Sequence, residues 1–448
     1  MKDVVVRKIE QILRDKLNGR TLVVYGEDWL SELYLNIKQS LFERVELFVK
    51  IDYWSSSNPF RNIPAVRFEE ANLSVDNHFV LMIARQSYVD QKHKLRELGF
   101  VEEDCIDMVD LENRLDEPIK YGLESDESPI SFCDDSVHFT NSMRFQNSIG
   151  DNTGNLVHWH ALKCSIPMKR YSRPLDESTR VVVTNSFICI RSNSRADIQV
   201  DNWRHLFELG AGVSLVPLFL GITYPKDVRI VDIELPPKVI KMLRDLSGIS
   251  KLIGTRTEFA AEILMKYGIK NVVPMGCPSI YYPFISNRID KIERSTGPLH
   301  AVVNSAHLGE KLSEKDWFNY ISERNFPFVC QQFDKTENQY LTRNRQVFTR
   351  IDSWENYLEG FNFSIGMRFH GNIVPIWKGI PSLFIVHDSR TKGMCEFFSL
   401  PHIDVKDFDP SKPIEYYYDL ADYSEFNRKM PKLVDDYKDF LKTNGIII

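Results

Sequence analysis

Two short stretches of this chain carry side chains suited to gripping an anion and moving a proton beside it. In Gly366-Met-Arg-Phe-His-Gly371 an arginine and a histidine stand two residues apart between glycines. In His387-Asp-Ser-Arg-Thr391 a second arginine follows a histidine, an aspartate and a serine. The planar fork of arginine matches a carboxylate or phosphate. Histidine donates to an oxyanion or transfers a proton near neutral pH. Arg368, His370, Asp388 and Arg390 therefore form a candidate anion site, in which Arg368, His370 and Asp388 are the candidates for catalysis. Other roles compete. Asp388 and Ser389 are equally suited to capping a helix, and Arg390 pairs as readily with Asp388 as with a ligand.

The elements around these stretches would position them. An apolar run from Phe361 to Ile365 reads as a buried strand, and Ile373, Ile376 and Trp377 then share one helical face. Leu383 to Val386 is a second apolar run, again followed by a helical segment. In a parallel α/β sheet such strand-to-helix turns gather at the C-terminal strand ends, where ligands bind. Each also opens a helix, whose free N–H groups and dipole favour an anion. A third turn, Gly254-Thr-Arg-Thr-Glu258, adds Arg256, with Thr257 as the expected N-cap. His307 follows the strand His300 to Val303 and joins the candidate substrate contacts, as do Ser389, Asn155 and Asn372. Asn155 ends the loop G-D-N-T-G-N (150–155), whose glycines would let backbone amides approach a phosphate or sugar. That loop lacks the Lys-Ser/Thr of a P-loop. His158 and His160 are two apart on a presumed helix and face different ways, which disfavours a metal site. Trp159, Trp203 and Trp377 suit sugar stacking or core packing alike.

At 448 residues the chain exceeds one core. Alternating strand and helix patterns divide it into three α/β units, 1–120, 135–290 and 291–448, with linkers near 115–135 and 284–297. The first has a strand at Thr21 to Tyr25, a helix at Trp29 to Phe42, a strand at Val45 to Val49, another at Phe79 to Ile83 and a helix at Tyr88 to Leu98. This imitates a dinucleotide-binding unit, but only Gly26 stands where G-x-G-x-x-G is wanted. It reads as a Rossmann-like module, structural or nucleotide-binding. A net charge of −6 argues against a nucleic-acid partner, and no run of about 18 apolar residues suggests a membrane span. Seven scattered cysteines without a C-x-x-C pair, and an amphipathic N-terminus unlike a signal peptide, point to the cytoplasm and to no zinc site.

G-M-R-F-H-G-N-I-V-P-I-W-K-G-I-P (366–381) with H-D-S-R-T-K (387–392) resembles the C-terminal half of polysaccharide pyruvyl transferases. G-T-R-T-E-F-A-A-E-I-L-M-K-Y-G-I with M-G-C-P-S (254–279) resembles that family's arginine-bearing helix and Gly-x-Pro-Ser turn, and G-D-N-T-G-N, more loosely, its N-terminal loop. The resemblance spans about residues 140–405 and leaves the first ~120 residues outside. It implies a GT-B-like pair of Rossmann-like domains facing a cleft, here preceded by the extra N-terminal module. It also implies transfer of pyruvate from phosphoenolpyruvate to two hydroxyls of a sugar, free or lipid-linked, as a ketal, with neither metal nor cofactor. A lipid-linked acceptor would be met at the inner face of the membrane, by peripheral contact. The related alternative is a GT-B glycosyltransferase using a nucleotide sugar; a non-catalytic scaffold would not need the two intact turns.

Overall fold

The computed structural model describes residues 11–13, 15–26, 45–50, 64–83, 88–101, 103–107, 128–133, 152–170, 175, 177–184, 204–207, 209, 212–222, 224, 228–305, 315–331, 345–346, 348 and 351–448. The expected helix at Trp29 to Phe42 and the candidate His307 lie outside them. The chain divides into two compact units, one made chiefly of residues 1–119 and one of 120–138, 152–332 and 336–448.

The first unit holds five parallel strands, β1 (Thr21–Gly26), β2 (Leu47–Lys50), β3 (Ala65–Arg67), β4 (His78–Ile83) and β5 (Cys105–Asp107), in the order β3-β2-β1-β4-β5. β1 and β4 are buried runs (Leu22 to Tyr25, Phe79 to Met82), as strands covered on both faces must be. The doubly wound order makes this unit Rossmann-like.

The second unit contains two further parallel sheets. One comprises β6 (Ile130–Cys133), β7 (Lys169–Arg170), β8 (Val181–Thr184) and β9 (Ser214–Pro217), in the order β7-β6-β8-β9. It continues through a bridge between Leu220 and Thr255 into β10 (Ile253–Thr255) and β11 (Val272–Pro274). β6 corrects the sequence reading: this strand lies inside the acidic stretch taken as a linker, yet it sits between β7 and β8. Four residues are too few to show a period. The pairing to its neighbours decides the matter.

The other sheet orders β12 (Ala301–Asn304), β13 (Phe328–Val329), β14 (Arg345–Gln346), β15 (Phe363–Gly366), β16 (Ser382–Val386) and β17 (His402–Asp404) as β14-β13-β12-β15-β16-β17. All neighbours are parallel. Chain direction across the sheet reverses between β12 and β15, so a crevice opens beyond their C-terminal ends. β12, β15 and β16 are buried at every residue.

The two sheets of this unit are joined by aromatic and polar contacts. The helix Phe369–Trp377 is buried on all sides. Trp377 Nε1 donates to the Ser279 carbonyl at 2.7 Å, and its ring meets Tyr282 and His160. The C-terminal helix Ser424–Thr443 runs back to the earlier sheet: Tyr437 stacks on Tyr281 at 4.3 Å, and Asn444 accepts from the Leu252 amide at 3.1 Å. Among the described residues no helix is long and apolar enough to cross a membrane.

Candidate functional site

Asn304, the last residue of β12, organises the crevice. Its Oδ1 accepts the Arg368 backbone N–H at 2.8 Å, and its Nδ2 donates to Asn372 Oδ1, also at 2.8 Å. This close approach explains both glycines of the turn. A Cβ on Gly366 would strike the Asn304 backbone carbonyl and side chain, and one on Gly371 would lie 2.7 Å from Asn304 Cγ. Asn372 was expected to touch substrate. Instead its oxygen also accepts from Ser364 Oγ at 2.9 Å, and its nitrogen donates to the Gly366 carbonyl at 2.9 Å. The side chain is fully buried and spent on holding β15 to its own helix. Its role is structural, because an amide with its groups engaged has none left for a ligand.

The turn after β15 thereby presents Arg368, half-buried, with Nε 3.4 Å from the Ser305 carbonyl. His370 is buried in the first turn of the Phe369–Trp377 helix. Its Nε2 lies 3.5 Å from Cys277 Sγ, and its ring packs on His158 with centroids 5.4 Å apart. His158 comes from the helix Asn155–Ser165, where its Nε2 is 3.3 Å from Asn155 Oδ1. Asn155 therefore contacts a site histidine.

Arg256 is buried at the end of β10. Its Nε donates to the Phe219 carbonyl at 3.2 Å. Phe219 adopts φ +62°, a conformation costing a bulky residue ~1–3 kcal/mol. The strain coincides with the carbonyl that receives this arginine. Thr257 caps the helix Glu258–Lys266 as expected, accepting the Ala260 N–H at 3.1 Å. It also packs on the helix Ser389–Phe398, for a Cβ on Gly393 would lie 2.9 Å from Thr257 Cγ2.

Asp388 caps that last helix, accepting the Thr391 N–H at 2.7 Å. Its other oxygen stands 3.8 Å from both Arg390 and His387. Ser389 is buried and accepts the Tyr224 N–H at 3.2 Å, tying the two sheets' loops together. Arg390 Nε is buried without a hydrogen-bond partner. The three arginines and the two histidines thus gather where strands end and helices begin, on elements of both sheets.

The electrostatics follow from this crowding. Burial holds His370 neutral, well below its ordinary range, reinforced by His158 and then by Arg256, Arg390 and Arg368. Burial likewise depresses His158, with Arg256 and Arg390 adding to it. For Asp388 burial pushes up, but Arg390, His387 and the bond from Thr391 outweigh it and keep the carboxylate ionised. Three guanidiniums beside one carboxylate and two neutral imidazoles leave the crevice with an excess of positive charge. Among the described residues no group of three His, Cys, Asp or Glu is placed to hold a metal ion.

The sequence reading missed His158, Cys277 and Asn304. His158 had been weighed only against His160. The informative spacing was Asn155 to His158, i and i+3, which puts both on one helical face.

Residues 217–389 match the family model described as polysaccharide pyruvyl transferase. The resemblance read from the first turn and the arginine-bearing helix holds over that segment, which ends at Ser389 inside the second turn. The 150–155 loop, with Asn155 and His158 beside it, falls outside the match. No curated protein matches the chain. Among solved structures, S. aureus MnaA in a co-structure with UDP is 10% identical, covering 95% of this chain and 98% of that one, with a TM-score of 0.32. UDP-N-acetylglucosamine 2-epimerase from Rickettsia bellii is 13% identical over 94% and 98%, with a TM-score of 0.29. The glycosyltransferase SnogD from Streptomyces nogalater is 12% identical over 93% and 94%, with a TM-score of 0.28. Likenesses this weak add nothing to the sheet orders, which define the α/β fold on their own.

Proposed function

We propose that this protein transfers the pyruvyl group of phosphoenolpyruvate to two hydroxyls of a saccharide, forming a ketal. The observation that carries this reading is the gathering of Arg256, Arg368 and Arg390 around the buried imidazole of His370, all but Arg390 within the segment that matches the family, which ends at Ser389. Phosphoenolpyruvate has a carboxylate and a phosphate on adjacent atoms of a three-carbon frame. Arginines at helix N-termini suit both groups. In the first step an acceptor hydroxyl adds to C2 of the donor, its proton passes to a base, and C3 of the methylene gains a proton. In the second step the other hydroxyl forms its bond to C2 while inorganic phosphate leaves with the electron pair of the C2–O bond and takes up that hydroxyl's proton. The arginines stabilise the charge on the departing phosphate.

His370 is the group assigned to proton transfer. A neutral imidazole accepts the hydroxyl proton, and the anionic donor offsets the arginine field that disfavours its charged form. Asp388, capping its helix, orients Arg390 rather than taking a proton itself. The chain works without a metal or cofactor in this reading, at the cytoplasmic side, on an acceptor that is free or lipid-linked. His307 remains a candidate acceptor contact from its place after β12.

The test is phosphate release from phosphoenolpyruvate by the purified protein with a panel of saccharide acceptors, alongside thermal shifts with phosphoenolpyruvate and with uridine or cytidine nucleotides. Acceptor-dependent phosphate release supports the proposal. Stabilisation by a nucleotide but not by phosphoenolpyruvate would overturn it in favour of a glycosyltransferase using a nucleotide sugar.

A further inference from the structure

We propose that His158 is a positioning residue for His370, supplied to the site from outside the segment that matches the family. This deepens the function proposed above and rests on it for the identity of the reaction, but the structural relation between the two rings stands apart from the donor.

Three observations converge on this inference. First, the rings are in contact, with centroids 5.4 Å apart and planes inclined at 50°, and both residues are buried. Second, His158 has a fixed attitude. Its Nε2 faces Asn155 Oδ1 at 3.3 Å, one helical turn back, so the neutral ring carries its proton on Nε2 and donates it there. Third, a second contact holds His370, because its Nε2 faces Cys277 Sγ at 3.5 Å, and Cys277 is itself hydrogen-bonded with Ser279 Oγ at 3.1 Å. The His370 ring is thus held by a thiol from the turn after β11 and an imidazole from the Asn155–Ser165 helix. Neither neighbour brings a carboxylate. Among the described residues Arg256, Arg390 and Arg368 act on His370, and Arg256 and Arg390 on His158, all of them cationic.

The consequence is chemical as well as mechanical. Two imidazoles this close, under three guanidiniums, cannot both take a proton, so whichever is protonated suppresses the other. His158 therefore governs when His370 becomes charged, besides fixing where its ring points. A misplaced proton-transfer group costs on the order of tenfold to a hundredfold in rate, even when the fold persists.

The decisive experiment follows the His370 ring by NMR in protein labelled at histidine, with and without inorganic phosphate, in the full chain and in His158→Gln, His158→Phe and Asn155→Ala. The expected result is that His370 titrates at higher pH in His158→Gln and His158→Phe than in the parent, with a smaller change in Asn155→Ala. In parallel, kcat for phosphate release should fall tenfold or more in His158→Phe, with KM for phosphoenolpyruvate nearly unchanged and partial rescue in His158→Gln. An unaltered His370 titration in folded variants would overturn the proposal, as would kcat losses that merely track thermal stability. If the parent protein releases no phosphate from phosphoenolpyruvate, the proposed reaction fails while the titration still decides the role of His158.

Discussion

Replacing Arg368 by alanine separates binding chemistry from folding more cleanly than any other change at this site. The turn is held by its backbone: the Arg368 N–H bonds Asn304 Oδ1 at 2.8 Å and does not depend on the side chain. The guanidinium is half-buried, and its bond to the Ser305 carbonyl is long, at 3.4 Å. Its removal should cost on the order of 1 kcal/mol of stability for each hydrogen bond the side chain makes. The functional loss is larger. A fork donating one or two charge-assisted bonds to a phosphate or carboxylate contributes about 3–4 kcal/mol where charge develops, or roughly 10²–10³ in kcat/KM. Arg368→Lys should recover only part of this, since an ammonium keeps the charge and loses the fork. Steady-state phosphate release with phosphoenolpyruvate and an acceptor gives the first quantity, and urea unfolding of the same preparations gives the second. Near-normal turnover in Arg368→Ala would refute the assignment. A stability loss large enough to account for the lost rate would show instead that the arginine serves the fold.

Gly366→Ala should destabilise the second unit by about 1–3 kcal/mol, since the new methyl would meet the Asn304 backbone and force β15 from β12. Gly248→Ala makes the contrasting case. It lies inside the Pro237–Ile249 helix with open space around it, so urea unfolding should show a gain of ~0.5–1 kcal/mol. Stability should fall as pH drops below about 6.5, because His158, His160 and His370 are held neutral when folded and take protons more readily when unfolded. The His160 part of that loss continues down to about 4, where the folded form also protonates. Thermal melts between pH 7.5 and 5 check the sign, and a midpoint that rises on acidification contradicts it. Sulfate, which does not titrate in this range, should bind more tightly as pH falls towards 6, with net proton uptake seen by calorimetry in buffers of different ionisation enthalpy. Binding independent of pH would show that the histidines do not sense the anion.

The sheet that carries the two turns was legible because its strands are unbroken apolar runs ending at glycine or polar residues. The run from Phe361 to Ile365 became Phe363–Gly366, and that from Leu383 to Val386 became Ser382–Val386. The arginine-bearing helix was equally plain, with Thr257 before it and Gly268 at φ +86° after it. Errors arose where partners rather than local pattern set the structure. Val213 to Leu220 has the apolar composition of a single strand, but the strand stops at Pro217, the chain turns at Phe219, and Leu220 rejoins the sheet by its bridge to Thr255. The helix Pro278–Ile285 was missed because Pro278 and Pro283 look like breakers. At the first helical position proline is well tolerated, since no N–H is needed there. At the site, residue type singled out the arginines, while the work of Asn372 and Asn304 depended on which strands lie side by side. Sheet order is not written in either residue's neighbours.

That distinction bears on why the site draws on both sheets. A parallel sheet fixes its strand ends by register, so β12 and β15 can place Asn304 and Arg368 to within a hydrogen bond of each other. Arg256, Cys277 and His158 come from the other sheet's elements, and Thr257 against Gly393 and Tyr224 against Ser389 hold the two sets in contact. Gathering three guanidiniums, Arg256 buried and Arg368 and Arg390 half-buried, costs free energy that the fold must supply, because like charges repel more strongly as water is excluded. An anion of matching shape removes that repulsion as it binds. The anion's charge, little screened where water is excluded, then eases the protonation of a His370 that desolvation had kept neutral, which suits it to accept the hydroxyl proton in the proposed reaction.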